Sequence, residues 1–345
     1  MDNCKIVGVF DPKINDSNLE GFMKENGLDD KLKIYGNYDE LAKDDNVDAV
    51  FIGTPDKFHL EQLQKAVENR KHVFCEKPLC TNTDGLKTLK EVLDAAEEKG
   101  LKVTTCHSRR FDPPYVWLKE KLPDFEEKYG KVIKVELDFS YHLPSKNERD
   151  MHEGSLLLDH ASHEIDYLNF LLGVSGVNLT KLKDCDEHYE LLGVRDDKVT
   201  TSFIGTRLLT QEKYPEEITV RFAKATLTIS MYDAGLSRLS EHEKIIHQTS
   251  EDKEPSPNPA IEHPVTDYDS RFIETNKAWL ESIIKSTDCY LTKEEMLFNT
   301  AVCVGFSEKG KNSLRVNAGP STQLTDQNLV SCSADIKHLS RRASI

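Results

Sequence analysis

VDAVFIGTPDKFHLEQLQKAVENRKHVFCEKPL, residues 47–79, decides the fold. It opens on a near-continuous apolar strand, VDAVFIG (47–53), closed by Thr54-Pro55. DKFHLEQLQKAVENR (56–70) then spaces its apolar residues at helical intervals, and HVFC (72–75) is a second short apolar strand. Strands that are apolar throughout, joined by helices, build a parallel sheet covered on both faces. HVFC runs straight into Glu76, Lys77 and Pro78. In open parallel sheets the carboxyl ends of the strands form the ligand rim, so this acid and ammonium are presented to a ligand.

The alternation extends both ways. CKIVGVF (4–10), a helical stretch at 17–26 and LKIYG (32–36) precede it. TDGLKTLKEVLDAAEEKG (83–100), stopped by Gly100, and the strand LKVTTC (101–106) follow it. Beyond residue 107 the character changes. A helix at 111–128 leads to VIKVELDFSYH (132–142), which alternates like a half-exposed antiparallel strand. SLLLDHASHEIDYLNFLLG (155–173) reads as one helix capped by Gly173. Several strands between 178 and 235, a proline-bearing loop at 251–264 and helices near 270–286 and 292–309 complete the pattern. The expected organisation is a Rossmann-type parallel α/β domain over 1–107, an α+β domain with a mostly antiparallel open sheet over 108–317, and a Ser-rich disordered tail over 318–345.

Composition narrows the function classes. The chain has 345 residues, 38% hydrophobic and 30% charged, with a formal net charge of -15. That balance argues against nucleic acid as partner, because phosphate binding needs clustered Lys and Arg. No apolar run approaches the roughly 18 residues of a membrane span, and the N-terminus lacks a signal-peptide layout. The 8 cysteines form no C-x-x-C pair, which fits a reducing, cytoplasmic setting. RRAS (341–344) reads either as a kinase substrate site at Ser344 or as a chance match.

A few residues could carry chemistry. Asp11 ends the first strand, where an acid can bind the ribose hydroxyls of NAD or merely make an Asp-Pro turn. Lys77 could polarise a substrate oxygen or form a surface pair with Glu76. Asp159 and His163 are i and i+4 on one helix, within reach of each other or of one ligand. His160 and Asp166 add polar groups to that helix. A metal set of His152, His160 and His163 matches no zinc spacing, so no metal is expected. Arg109 and Arg110, in HSRRFDPPY, either hold an oxygen-rich ligand at the domain junction or form a solvated hinge.

Together these pieces resemble the glucose–fructose oxidoreductase / inositol dehydrogenase (Gfo/Idh/MocA) family. The resemblance rests on residues 47–79, on RRFDP (109–113) and on GSLLLDHASHEIDYLNFLLG (154–173), which is similar to the family's G-G-x-x-x-D-x-x-x-H-x-x-D helix. The closing stretch 269–310 is also similar, so the likeness covers nearly all of 1–317. FCEKP with RRFDP looks closest to the inositol 2-dehydrogenase subgroup. The resemblance implies an NAD(P)-dependent oxidoreductase acting on a cyclic polyol or sugar. Lys77 would polarise the reacting hydroxyl, and His163, oriented by Asp159, would take its proton. The Lys77–Pro78 bond would be cis. Asp11, Thr54, Pro55, His59, Glu76 and Lys77 would meet the cofactor, NAD rather than NADP because of Asp11. Arg110 and His160 would meet substrate. Copies would pair through the C-terminal sheet into a dimer or tetramer.

One family element has no counterpart. No G-x-G-x-x-G occurs, and aligned by Asp11 the chain opens at the family's second strand. In the order 3-2-1-4-5-6 the missing first strand is interior, so two unpaired edges are expected. The expectation is an incomplete form of a dehydrogenase that binds NAD weakly; the alternative is a cofactor-poor, non-catalytic binding or regulatory relative.

Overall fold

The computed structural model describes residues 4–14, 16–25, 32–140, 156–185, 188–207, 216–230, 236–241, 260–264, 267–306, 311–319 and 324–325. Its first part runs β1 (Gly8–Val9), α1 (Asp16–Glu25), β2 (Lys33–Ile34), α2 (Tyr38–Lys43), β3 (Ala49–Ile52), α3 (His59–Glu68), β4 (His72–Cys75), α4 (Thr83–Glu98) and β5 (Val103–Thr105). Helix starts obey side-chain chemistry. The Asn37 and Asn82 side chains accept the backbone N–H of Glu40 and Gly85, satisfying donors that the first turn leaves open. All pairings are parallel, as the apolar strands predict.

The strands form two sheets, not one. β1 pairs with β2, while β3, β4 and β5 form a separate set. Among the described residues no strand joins the two sets. Gly8 is fixed by its neighbours, since a Cβ there would lie 2.5 Å from the Tyr35 ring and 2.6 Å from the Lys33 carbonyl oxygen. Buried Tyr35 ties the small sheet to the end of α2 by donating its hydroxyl to Asp44 at 2.9 Å.

The second part runs α5 (Pro113–Tyr129), β6 (Val132–Phe139), α6 (Leu156–His160), α7 (Ser162–Leu172), β7 (Val177–Cys185), β8 (His188–Arg195), β9 (Thr200–Thr206), β10 (Glu216–Phe222), β11 (Ala225–Ser230), β12 (Leu236–Glu241), β13 (Ala260–Glu262), α8 (Tyr268–Ile284), α9 (Lys293–Gly305), β14 (Ser313–Val316) and β15 (Leu324–Thr325). One sheet carries its strands in the order β13-β12-β11-β10-β6-β9-β8-β7-β14-β15. The sheet is antiparallel except where β6 meets β9. Alternation along β6, β8 and β11 turns one face onto the helices. A single apolar core runs from Tyr35 through α4, α7 and α9 to Val316. A smaller cluster of Phe74, Cys106 and Trp279 fastens β4 and β5 to α8.

Three expectations need correcting, and one helix was not expected. The helix expected over 155–173 is two, α6 and α7, parted at Ala161, although Ile165 N–H still reaches the Ala161 carbonyl. β6 is not purely antiparallel, because β9 crosses back beside it. Helix α2 is too short to show periodicity in sequence. Within the expected tail, Leu324–Thr325 pair with β14; Ser344 lies outside the described residues. Among the described residues no helix is long and apolar enough to cross a membrane.

Candidate active site

Lys77 stands at the carboxyl end of β4, and its bond to Pro78 is cis. His59 braces this turn against the neighbouring one. Its ring nitrogens lie 2.8 Å from the Pro78 carbonyl and 2.7 Å from the Thr54 carbonyl. Thr54 in turn donates its hydroxyl to Gln62 at 2.7 Å. His59 and Thr54 therefore hold the shape of the strand-end loops through contacts within them. Asp11 is exposed at the end of β1, where one carboxylate oxygen accepts the Lys13 backbone N–H at 2.7 Å. Glu76 is half-buried beside Lys77.

The Lys77 ammonium reaches 82 residues along the chain to α6, donating to Asp159 Oδ1 at 2.5 Å and to the Asp159 carbonyl at 2.6 Å. Both side chains are largely shielded, at 16% and 20% exposure. Burial works against the ammonium, but the Asp159 charge outweighs it and lifts the Lys77 pKa above its ordinary value. Lys77 is therefore a fixed cation at neutral pH.

His163 lies one turn on from Asp159. It is partly buried, yet its Nδ1 is shut from solvent without a hydrogen-bond partner. The expected Asp159–His163 orientation has shifted, with Lys77 holding Asp159 instead. Burial, and after it the charges of Arg109 and Lys77, drives the His163 pKa well below its ordinary value. The ring is neutral and able to take a proton. His160 and His107 stand edge-on to it, with ring centroids 5.8 and 5.9 Å away. His107 is buried with neither ring nitrogen partnered. Sequence reading missed it; its one signal is its position directly after strand LKVTTC.

These rings make the protein acid-sensitive. Burial depresses His107, His163 and His160, the last to about 3. The unfolded rings titrate near 6.5. Unfolding below that pH takes up protons, so stability is full above about 6.5 and falls as pH drops toward the native values. His160 alone removes about 2 kcal/mol by pH 5. Calorimetry from pH 8 to 5 should show Tm steady to about 6.5 and falling below it, more shallowly in His160→Asn.

The junction motif HSRRFDP is neither a solvated hinge nor a ligand clamp. Arg109 donates to Glu216 of β10 and stacks over Phe139 at 4.5 Å. Arg110 grips Asp166 of α7 with two donors, at 2.8 and 2.9 Å, and reaches Glu295 of α9 at 2.8 Å. Asp112 accepts from Arg271 of α8 at 2.9 Å. Each charge of the motif is thus spent on a different element of the second part. The expectation that Arg110 meets substrate is corrected on this ground: its guanidinium is 6% exposed and its donors are engaged. His152 lies outside the described residues, among which no group of three or more metal-ligating side chains converges.

The strand ends and the facing helices carry groups that could hold a cofactor. An exposed carboxylate, a fixed ammonium and an orphaned imidazole nitrogen are in place. No G-x-G-x-x-G in the sequence supplies the phosphate cradle.

Residues 1–107 match the family model GFO_IDH_MocA, described as an oxidoreductase family with an NAD-binding Rossmann fold. The 1,5-anhydro-D-fructose reductase of Ensifer adhaerens is 31% identical over 156 residues, 44% of this chain and 44% of that protein. The scyllo-inositol 2-dehydrogenase (NAD(+)) of Bacillus subtilis is 33% identical over 134 residues, 39% of this chain and 38% of that protein. The chain thus spans less than half the length of either relative. The crystal structure of scyllo-inositol dehydrogenase from Lactobacillus casei superposes with a TM-score of 0.67 at 20% identity, covering 90% of each chain, and shares the fold.

Proposed function

We propose that the chain, whose residues 1–107 match the Gfo/Idh/MocA oxidoreductase family model, is a member of that family and oxidises a hydroxyl of a cyclic polyol or sugar with NAD(P). One observation carries this reading. Lys77, from the first part, and Asp159 and His163, from the second, converge, with a fixed ammonium acting on a neutral imidazole whose buried Nδ1 has no partner. Lys77 polarises the substrate oxygen and stabilises it as its proton leaves. His163 takes that proton. Asp159 holds the Lys77 ammonium in position. The cofactor supplies the hydride acceptor. Proton and hydride leave one carbon from different sides, so base and acceptor must be held apart in fixed places.

Asp11, Thr54, Pro55 and Glu76 are the proposed cofactor rim. The Asp11 carboxylate favours NAD, since it would repel a 2′-phosphate. His160 is proposed to border the substrate. We divide the chain at residue 107, where the parallel strands end. The outer face of the larger sheet, with Ile133 and Leu182 exposed, is the proposed surface for a second copy.

The separation of the two-stranded from the three-stranded parallel sheet favours a second reading, a non-catalytic relative that binds polyols without turnover. NADH titration by fluorescence, then an inositol and sugar screen with NAD, separates the two. Saturable NADH binding and NADH production support the dehydrogenase. Polyol binding without either supports the second reading.

A further inference from the structure

His107 is a buried imidazole that the proposed chemistry leaves unused. It stands just past the carboxyl end of β5, is 2% exposed, and has no hydrogen-bond partner at either ring nitrogen. Buried polar groups are nearly always bonded, so two bare nitrogens on one ring call for a partner. His163 of α7 has the matching need. Its Nδ1 is shut from solvent and equally without a partner. The two rings stand edge-on, with centroids 5.9 Å apart and planes at 73°.

Ring size decides how they can meet. Imidazole atoms lie roughly 1.1–1.2 Å from the ring centroid, so no nitrogen of one ring comes closer than about 3.6 Å to a nitrogen of the other. That is too long for a direct hydrogen bond, and polar atoms set apart in this way are joined by one water between them. A water so placed would satisfy the Nδ1 of His163 and one nitrogen of His107 together.

The pair has the right donors and acceptors. Burial is the first cause that lowers both pKa values, so both rings are neutral at pH 7. A neutral imidazole has one nitrogen that donates and one that accepts. The Thr105 carbonyl favours a proton on His107, without reaching hydrogen-bond geometry, which leaves the ring's other nitrogen to accept. His160 also stands edge-on to His163, but its Nδ1 already lies 3.2 Å from the Tyr189 hydroxyl. Lys77, Arg109, Arg110 and Asp166 are the charges acting on the His163–His107 pair.

We propose that His163 and His107 hold one ordered water between them, and that His107 is thereby the positioning residue that keeps the His163 proton on Nδ1 and leaves Nε2 free to take a proton from substrate. The hydrogen bond at one imidazole nitrogen sets which nitrogen is protonated. His107 fills the orienting place expected of Asp159, whose carboxylate is engaged by Lys77. The role in proton transfer rests on the dehydrogenase reading; the water and the tautomer do not.

Long-range proton–nitrogen NMR of the full chain, labelled at histidine nitrogens, reads the tautomers near neutral pH without turnover. Wild type should show His163 with a protonated Nδ1 and a bare Nε2. His107→Phe keeps a flat ring but no acceptor, and should move His163 toward the Nε2–H form. His107→Leu tests the same loss should the Phe variant fail to fold. His107→Gln restores an acceptor and should restore the Nδ1–H form. A high-resolution crystal structure of the wild type should show a water within about 3.2 Å of both rings' nitrogens. An Nε2–H His163 in wild type, a tautomer unmoved in the apolar variants, or a dry gap between the rings overturns the proposal. So does a His163 tautomer that moves in His160→Asn and not in His107→Phe. With turnover established, His107→Phe should lower kcat about tenfold, short of the roughly 10²–10⁴-fold of losing a general base, and His107→Gln should recover most of it. If water and tautomers are as stated and the wild type does not turn over, the water site stands and the dehydrogenase reading fails.

Discussion

Lys77→Ala will, on the proposed dehydrogenase reading, lower polyol oxidation by roughly 10³-fold or more. Two losses combine. The ammonium that steadies the developing oxyanion disappears, a deletion that costs on the order of 10²–10³ in comparable sites. The positive charge that helps hold His163 neutral also goes, so the base gains affinity for its proton and its release slows. Asp159, 20% exposed, loses its cation as well. Losing this charged hydrogen-bond partner at a mostly shielded carboxylate costs about 1–3 kcal/mol of stability. Lys77→Met keeps the aliphatic stem and separates chemistry from packing. Steady-state kinetics beside thermal melts make the comparison. Activity surviving in Lys77→Met would remove Lys77 from the mechanism.

The largest stability effect will come from a different pair. Arg109→Met leaves Glu216 buried at 8% side-chain exposure without its cation. Burial raises the Glu216 pKa, but Arg109 reverses this and holds the group ionised. Removing one member of a buried ion pair costs about 3–5 kcal/mol. At roughly 2–4 °C per kcal/mol for a domain of this size, Tm should fall by about 10 °C. The double variant Arg109→Met with Glu216→Leu should recover most of the loss, because no uncompensated charge remains. Tyr115, which also donates to Glu216, limits the recovery through its own lost partner. Equilibrium denaturation of the three variants checks this.

The parallel strands and their helices were legible because apolar runs and helical spacing are local signals. Lys77 was legible because EKP comes directly after a strand, and His163 because its spacing from Asp159 is helical. Partners were not. Lys77 and Asp159 are 82 residues apart, and Arg109 and Glu216 are 107. No spacing rule links such positions. The arginine pair was misread for the same reason: a charged run at a boundary is polar in sequence, and only the fold shows three elements closing over it.

The separation of β1–β2 from β3–β4–β5 also sets how the molecule breathes. Among the described residues, side chains such as Tyr35 at Asp44 and the half-buried Val7 and Phe10 hold the small pair to the rest. Elements fastened this way open as their own cooperative unit, below the global unfolding free energy. Amides at Gly8, Val9, Lys33 and Ile34 then exchange with deuterium well before those of β4. Asp11 sits on the loosely held unit and Lys77 on the firm one. On the proposed function, a dinucleotide reaching from one to the other would work as a clasp, with part of its binding free energy going into closing the protein.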